Sequence, residues 1–465
     1  MNFTGLFYFF GLCLAPVLVI SLINIIFCFY FNYYFNIESY IIVFILVFFI
    51  FIFSLKTKPK KKEINKFELL IFALLIYFII PLFTSIPFFY GNYLNFFASY
   101  FESISGFSSV GVSLLNNVYF LDEPIILWRS IIQWLGGFYF LLLLISIFGQ
   151  EIFEFFPMKF LQKEKDTNYF HLNFLKNIKN VTYVYLILTL IIFILLNFTN
   201  YRLFEIVNLV FSIVSGGGFS SNKIIANNDF DKFLLSASFL LSSINIFFLL
   251  TILKINKQFS LSETKSMLIF LVAMMFVVLI NDKNLEFFDI MLSLTSSMSN
   301  SGLYFGYDQN INIFFLLIAV FVGGSILSNS GGFKITRFLI IFKNILSEFS
   351  KLLIPASITN LSIYNSSEKI KSSDLFIASL VLFTYFLMMI LYCFFLSFEN
   401  INFENIFKIS FLVSFNTLPS SLYGISGVNF SNFNNLTLFI SLIVFVLSKI
   451  TPLSFILLIK NFLLR

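Results

Sequence analysis

A short segment recurs four times in this sequence, each time too brief to cross a membrane and each time between two long apolar runs. The first copy reads FESISGFSSVGVS, Phe101 to Ser113, an amphipathic stretch that runs into a turn of small residues at Gly111. The recurring frame is a serine six positions before a turn residue: Ser105 and Gly111, Ser212 and Gly218, Ser296 and Gly302, Ser414 and Ser420. A spanning helix needs roughly 20 apolar residues, so each short segment must enter and leave the bilayer on one side. Irregular backbone at that depth survives only if it lines a water-filled cavity or is buried in protein. One such copy alone reads better as an ordinary extracellular loop with a glycine turn. Four in register predict a pseudo-four-fold pore built from one chain, whose turn carbonyls replace a cation's hydration shell. The expected filter positions are Val110, Gly111, Gly217, Gly218, Ser301, Gly302, Pro419 and Ser420.

Composition agrees with a membrane protein. Of 465 residues, 59% are hydrophobic and only 11% charged, which excludes a soluble globular chain. The 72 phenylalanines, with abundant Ile, Asn and Lys, reflect a general compositional bias, so single Phe or Asn residues are discounted as signals. The net charge of +6 comes from lysines in short loops and is no nucleic-acid footprint. Cys13, Cys28 and Cys393 lie in apolar runs without metal or disulfide spacing. His171 is the only histidine. A membrane-embedded enzyme, the rival class, would need a His, Asp or Cys cluster that the sequence does not show. No ATP motif is present, and no cofactor is expected beyond a cation as substrate.

The chain divides into an N-terminal pair of spanning helices (residues 1–62) and four pore repeats, 63–150, 151–257, 258–350 and 351–465. The first apolar run, residues 3–35, lacks a basic leader and is too long for a signal core. Outer helices are expected over 67–89, 181–198, 266–280 and 375–398. Inner helices are expected over 125–149, 233–253 and 436–459, and the long third stretch runs over 311–342. The lysine-rich loop at 56–66 is cytoplasmic by the positive-inside rule, so the short segments enter from outside. Their C-terminal dipole ends then point inward and favour a cation. Glu205, Glu286, Asp289 and Glu404 sit near the opposite ends, where capping explains them. With Asp122, Glu123, Asp229, Asp231 and Asp308 they form a candidate cation-concentrating vestibule. Lys449 is a charge inside the last inner helix. A snorkelling lysine would reach the interface; the alternative is a cation in the ion path that blocks leak.

Three passages resemble the Trk/Ktr/HKT superfamily of potassium transporters, most closely its TrkH branch. FESISGFSSVGVS is similar to the family's first filter, F-E-x-x-S-G-x-T-T-T-G. LWRSIIQWLGG, Leu127 to Gly137, resembles the start of its first inner helix. GGSILSNSGGFKITR, Gly323 to Arg337, resembles its glycine-rich break in the third inner helix, with VSGGGFS at 214–220 looking like the second filter. The resemblance runs end to end. It implies an all-α multi-pass protein of the cell membrane that takes up potassium. It also implies an intramembrane gate at Asn329, Ser330, Gly331 and Gly332 with Lys449 opposite. The partners implied are a second copy of the chain and a separate cytoplasmic TrkA-type nucleotide-binding regulator. The fourth filter departs from the family's N-N-x-G-P-G, reading Asn416, Thr417, Leu418, Pro419, Ser420. A sodium-permeable or poorly selective pore is therefore the alternative.

Overall fold

Backbone in a bilayer has no water to bond, so each apolar run closes its own hydrogen bonds as a helix. The computed structural model describes residues 3–57, 66–115, 117–148, 170–221, 225–226, 228–245, 262–281, 285–306, 311–353, 372–425 and 428–450. Every regular element among them is helical. An N-terminal hairpin, α1 (Phe3–Tyr30) and α2 (Ile37–Lys56), precedes four units. The first unit is α3 (Lys66–Thr84), α4 (Ile86–Tyr90), α5 (Phe96–Phe107) and α6 (Glu123–Phe148). The second is α7 (Phe170–Leu196), α8 (Leu203–Ser215) and α9 (Asp229–Ser243). The third comprises α10 (Ser262–Asn281), α11 (Phe287–Met298), α12 (Ile313–Val322) and α13 (Ile335–Leu353). The fourth is α14 (Ser372–Leu396), α15 (Phe403–Ser414) and α16 (Asn435–Ile450). Seven helices among the described residues are long and apolar enough to cross a membrane. The chain is a multi-pass, all-helical membrane protein.

The expected helices are found, with shifts that have local causes. The single outer helix expected over 67–89 is broken at Ser85, because Pro87 has no N–H to give the carbonyl of Phe83. Chain bonding resumes one residue later, from Phe88 N to Ser85 O at 3.1 Å. The carbonyl of Thr84 is instead taken by the Trp128 indole N–H, 2.9 Å away. Pro16 sits inside α1 without ending it. The third inner stretch divides into α12 and α13, with residues 323–334 irregular between them. The predicted ends of the second and fourth inner helices, 246–253 and 451–459, lie outside the described residues, as do most of the lysine-rich loop and Asp308.

Helix α6 holds the centre. In its spanning window 94% of residues are buried, against 33% in α7, so α6 faces protein all round while α7 faces lipid. Tyrosine hydroxyls bind it to its neighbours. Tyr77 donates to Gly136 O (3.0 Å), Tyr185 to Trp134 O (2.9 Å), and Tyr139 of α6 to Cys13 O of α1. Two glycines of α6 make close crossings. A methyl group on Gly136 would lie 1.7 Å from the carbonyl oxygen of Phe107 at the end of α5, and one on Gly137 would lie 2.9 Å from Ser215 Cα at the end of α8. The inner helix thus touches the ends of two short helices, backbone to backbone. Gly136→Ala cannot be absorbed by a rotamer change, since backbone is what it strikes. We expect it to lower the thermal unfolding temperature in detergent more than Gly306→Ala, which bears only the strain of a positive φ (77°) and a side-chain neighbour, Ile225, at 3.1 Å. Equal unfolding temperatures would contradict the close crossing.

Candidate ion-conduction site

Each short helix ends on a residue in the left-handed region, the usual way a helix turns its last carbonyls away from its axis. These residues are Ser109 (φ 62°), Gly216 (66°), Asn300 (60°) and Asn416 (58°). Counted from them, the residue two positions on is Gly111, Gly218, Gly302 and Leu418. The residue four positions back is Ser105, Ser212, Ser296 and Leu412. The carbonyl of that earlier residue receives a turn N–H in every copy: Val110 to Ser105 (3.2 Å), Gly217 to Ser212 (2.9 Å), Gly302 to Ser296 (3.4 Å) and Thr417 to Leu412 (2.9 Å). Three copies therefore have the register expected from sequence. The fourth is corrected by two residues: Leu418 stands level with the three glycines, and Pro419 and Ser420 lie beyond it.

The serine of the frame has an evident job. Ser105 Oγ donates to Val112 O, Ser212 Oγ to Gly217 O (2.9 Å) and Ser296 Oγ to Leu303 O (3.0 Å), pinning each turn to the helix it leaves. Leu412 has no hydroxyl to offer. Ser414, which the frame had placed in this role, has a buried hydroxyl without a hydrogen-bond partner among the described residues. The fourth turn is held by its neighbour instead. Asn300 Nδ2 donates to Thr417 Oγ1 (2.9 Å) and Phe415 O (3.2 Å), and Ser420 Oγ donates to Gly302 O.

The turns converge. A methyl on Gly111 would lie 2.9 Å from Gly218 Cα, and one on Gly218 would lie 2.9 Å from Ser301 O and 2.5 Å from Leu418 Cβ. One on Gly302 would lie 2.6 Å from Leu418 O. At Gly111 and Gly302 φ is also positive, +82° and +64°, which a side chain resists. The four segments thus pack their backbones together at one level, with one aliphatic side chain among them.

A buried ion pair braces the first two turns. Arg129 of α6 bonds Glu102 of α5 through Nε (2.9 Å) and a terminal nitrogen (2.8 Å), both on Oε1, with 2% and 0% of the two side chains exposed. Glu102 also accepts from Ser113 Oγ (2.9 Å) and Leu114 N (2.9 Å), in the irregular segment leaving the first turn. The guanidinium lies 4.0 Å from the ring centre of Phe219, beside the second turn, and Gln133 Oε1 accepts from Phe219 N at 3.3 Å. Glu102, Arg129 and Gln133 were visible in the motifs, yet no role was assigned to them. A charge inside an apolar span, the signal used for Lys449, applies equally to Arg129.

Below the turns lies the break in the third inner helix. Asn329 Nδ2 donates to Val214 O (2.8 Å), Gly332 N donates to Phe415 O (3.1 Å), and a methyl on Gly331 would lie 2.1 Å from that same carbonyl oxygen. Asn329, Ser330, Gly331 and Gly332 therefore sit under the ends of α8 and α15. Lys449 reaches them: its Nζ donates to Asn329 O (3.2 Å) and Ser215 O (3.3 Å), and lies 5.0 Å from the Phe140 ring centre. It is 3% exposed and has no carboxylate partner among the described residues, so it does not snorkel. Lys334, also buried, folds back on the loop and donates to Ser328 O (3.3 Å), Ser330 O and Ser330 Oγ (3.1 Å).

The vestibule carboxylates are mostly engaged. Glu205 accepts from Arg202 N at 3.2 Å and caps α8. Lys232 of α9 pairs with Glu286 (2.9 Å) and Asp289 (2.7 Å), and Lys408 pairs with Glu404. Asp122 accepts from the Tyr93 hydroxyl at 3.0 Å. Local pairing, rather than a free anionic ring, accounts for these groups.

No family model matches the chain. An uncharacterized cation transporter of Methanocaldococcus jannaschii is 26% identical over 313 residues, 66% of this chain and 65% of that protein, just under two thirds of its length. The Trk system potassium uptake protein TrkH of Halomonas elongata is 23% identical over 329 residues, 65% of this chain and 67% of its own. The crystal structure of the potassium transporter TrkH from Vibrio parahaemolyticus superposes over 100% of both chains with a TM-score of 0.84 at 16% identity. The fold is that of TrkH.

Removing one partner of a buried ion pair leaves the other charge uncompensated, at a cost of about 3–5 kcal/mol. Glu102→Ala should therefore lower the yield of folded protein and its unfolding temperature. Glu102→Gln, which still accepts a hydrogen bond, should do so less. Indistinguishable melting curves for wild type and Glu102→Ala would contradict the bracing role.

Proposed function

We propose that this chain is a pore for monovalent cations, potassium foremost, through which ions move down the membrane potential. The observation that carries the reading is the meeting of four short helix ends at one level, each turned by a left-handed residue. Helix C-termini carry partial negative charge, and carbonyl rings coordinate dehydrated cations. Val110, Gly111, Gly217, Gly218, Ser301, Gly302, Thr417 and Leu418 form the filter in this reading. The potential supplies about 2.3 kcal/mol per charge per 100 mV. The likeness to TrkH in fold and to named potassium uptake proteins in sequence supports potassium as the cargo. On the same grounds we place the chain in the cell membrane, as a homodimer with a separate cytoplasmic nucleotide-binding regulator of the TrkA type. Rubidium and sodium uptake into vesicles holding the purified protein, with and without a cytosolic fraction, tests the reading. Uptake of neither ion above that of empty vesicles would refute it.

Residues 323–334 and Lys449 form the gate in this reading. The loop occupies the space beneath the turns, and a buried ammonium there repels a cation strongly because the surroundings are poorly polarisable. A second reading, a poorly selective pore, is favoured by the fourth turn. Leu418 places a side chain against Gly218, and the Ser420 hydroxyl occupies one lone pair of the Gly302 carbonyl. Both weaken the ring on which discrimination by ligand number and field strength depends.

Two outcomes are expected from the same flux assay. Lys449→Ala should raise basal rubidium flux per folded molecule and leave the potassium-to-sodium ratio unchanged; flux at or below wild type would remove Lys449 from the gate. Leu418→Gly should raise the potassium-to-sodium ratio several-fold, and an unchanged ratio would take Leu418 out of the ring.

A further inference from the structure

The irregular stretch between α12 and α13 leaves the helix and returns to it through a narrow neck. Phe333 N donates to Phe321 O (2.8 Å) and Ile335 N donates to Gly324 O (3.2 Å), so its two ends are bonded to each other. A methyl on Gly332 would lie 2.8 Å from Gly323 Cα, which leaves the neck room for backbone only. One side chain from the first helix of the same unit binds both sides of this neck. Glu263, in the first turn of α10, accepts from Ile326 N on the outgoing side (3.0 Å) and from Thr336 Oγ1 on the returning side (2.7 Å), both on Oε1. Its Oε2 faces Asn245 Nδ2 at 3.4 Å, just past the end of α9, where Ser243 O also accepts from Ser325 N at 2.9 Å. An acidic residue in a helix's first turn ordinarily serves the helix dipole from a solvated position. Glu263 is 2% exposed and its carboxylate is spent on the loop.

We propose that Glu263 is a positioning residue for gating, a latch whose carboxylate holds the neck of residues 323–334 closed and so keeps Asn329 under the filter. The proposal rests on the reading of that loop as the gate. The loop's other anchors are Ser325 N on Ser243 O, Asn329 under the end of α8 and Gly332 under the end of α15. Asn329, at the tip, must leave its place whenever an ion passes, whereas the neck decides whether the loop can move as a unit. Without the carboxylate, the Ile326 N–H loses its acceptor and the two sides of the neck lose the group that joins them, which favours arrangements in which the loop swings out and finds water. Because Glu263 lies in the first turn of α10, any shift of that helix end is passed to both sides of the neck at once.

Glu263→Ala, Glu263→Gln and Lys449→Ala are compared in vesicles by rubidium flux per folded molecule, with the potassium-to-sodium ratio and the unfolding temperature measured alongside. Loss of a charge-assisted hydrogen bond in the closed arrangement should raise basal flux about tenfold in Glu263→Ala at an unchanged ion ratio. Glu263→Gln keeps an acceptor oxygen and should rise by less than about threefold. Flux in Glu263→Ala at the wild-type level, with Lys449→Ala raised, overturns the latch and leaves the gate standing. A fall in unfolding temperature without a rise in flux overturns it likewise, since that is the mark of a merely structural carboxylate. Both variants at the wild-type level refute the gate itself. Should Glu263→Ala yield no folded protein, Thr336→Val removes one of the two donors, and an unchanged flux in that variant overturns the latch.

Discussion

Four short helices end at one level inside this protein, and the carbonyls at their ends have no helical partner. Leaving them unpaired in hydrocarbon would cost several kcal/mol each, so the surrounding structure exists to satisfy or employ them. Some are met by the turns themselves, through the N–H groups of Val110, Gly217, Gly302 and Thr417. Others are met from below, where Asn329 takes Val214 O, Gly332 takes Phe415 O and Lys449 takes Ser215 O. In the proposed reading the remainder are the ligands of a cation pore. Filter and gate would then be one arrangement, since the loop's donors and a passing ion answer the same need for positive charge at helix C-termini.

That need also explains why the buried charges are distributed as they are. Arg129 is matched by Glu102 and does not move with any ion, as suits a brace between the first two turns. Lys449 and Lys334 are matched by backbone carbonyls and hydroxyls, partners that hold an ammonium without cancelling its charge. The Glu263 carboxylate hydrogen-bonds the neck and neither lysine. In the proposed gate the Lys449 ammonium, with no carboxylate partner among the described residues, keeps its effect on a permeating cation, which an ion pair would forfeit.

Much of this was legible in the sequence, because spanning length and repeat register are properties of the chain itself. The alternation of long and short apolar runs gave the helix order, and Gly323–Gly332 marked the break that divides α12 from α13. The fourth register was misjudged because Ser414 and Ser420 happen to reproduce the serine-to-turn spacing. The feature common to all four copies is the left-handed residue, and at Asn300 and Asn416 it is an asparagine, a residue that tolerates this conformation. In a chain rich in asparagine those two carried no visible signal. Glu263 was invisible for a different reason: its partners Ile326 and Thr336 lie 63 and 73 positions away, a pairing that only the packed third repeat creates. A proline near a helix end does not by itself say which carbonyl is freed, or that Trp128 will take it, so the sequence predicts one continuous outer helix in the first repeat.

The central claim is that a dehydrated cation sits where the four turns meet. Anomalous diffraction from crystals grown in rubidium measures this directly. The account predicts a rubidium peak enclosed by the backbone of Gly111, Gly218, Gly302 and Leu418, lost when sodium replaces rubidium in the crystal. Well-ordered turns with no peak between them, or rubidium found only outside the four segments, would contradict it.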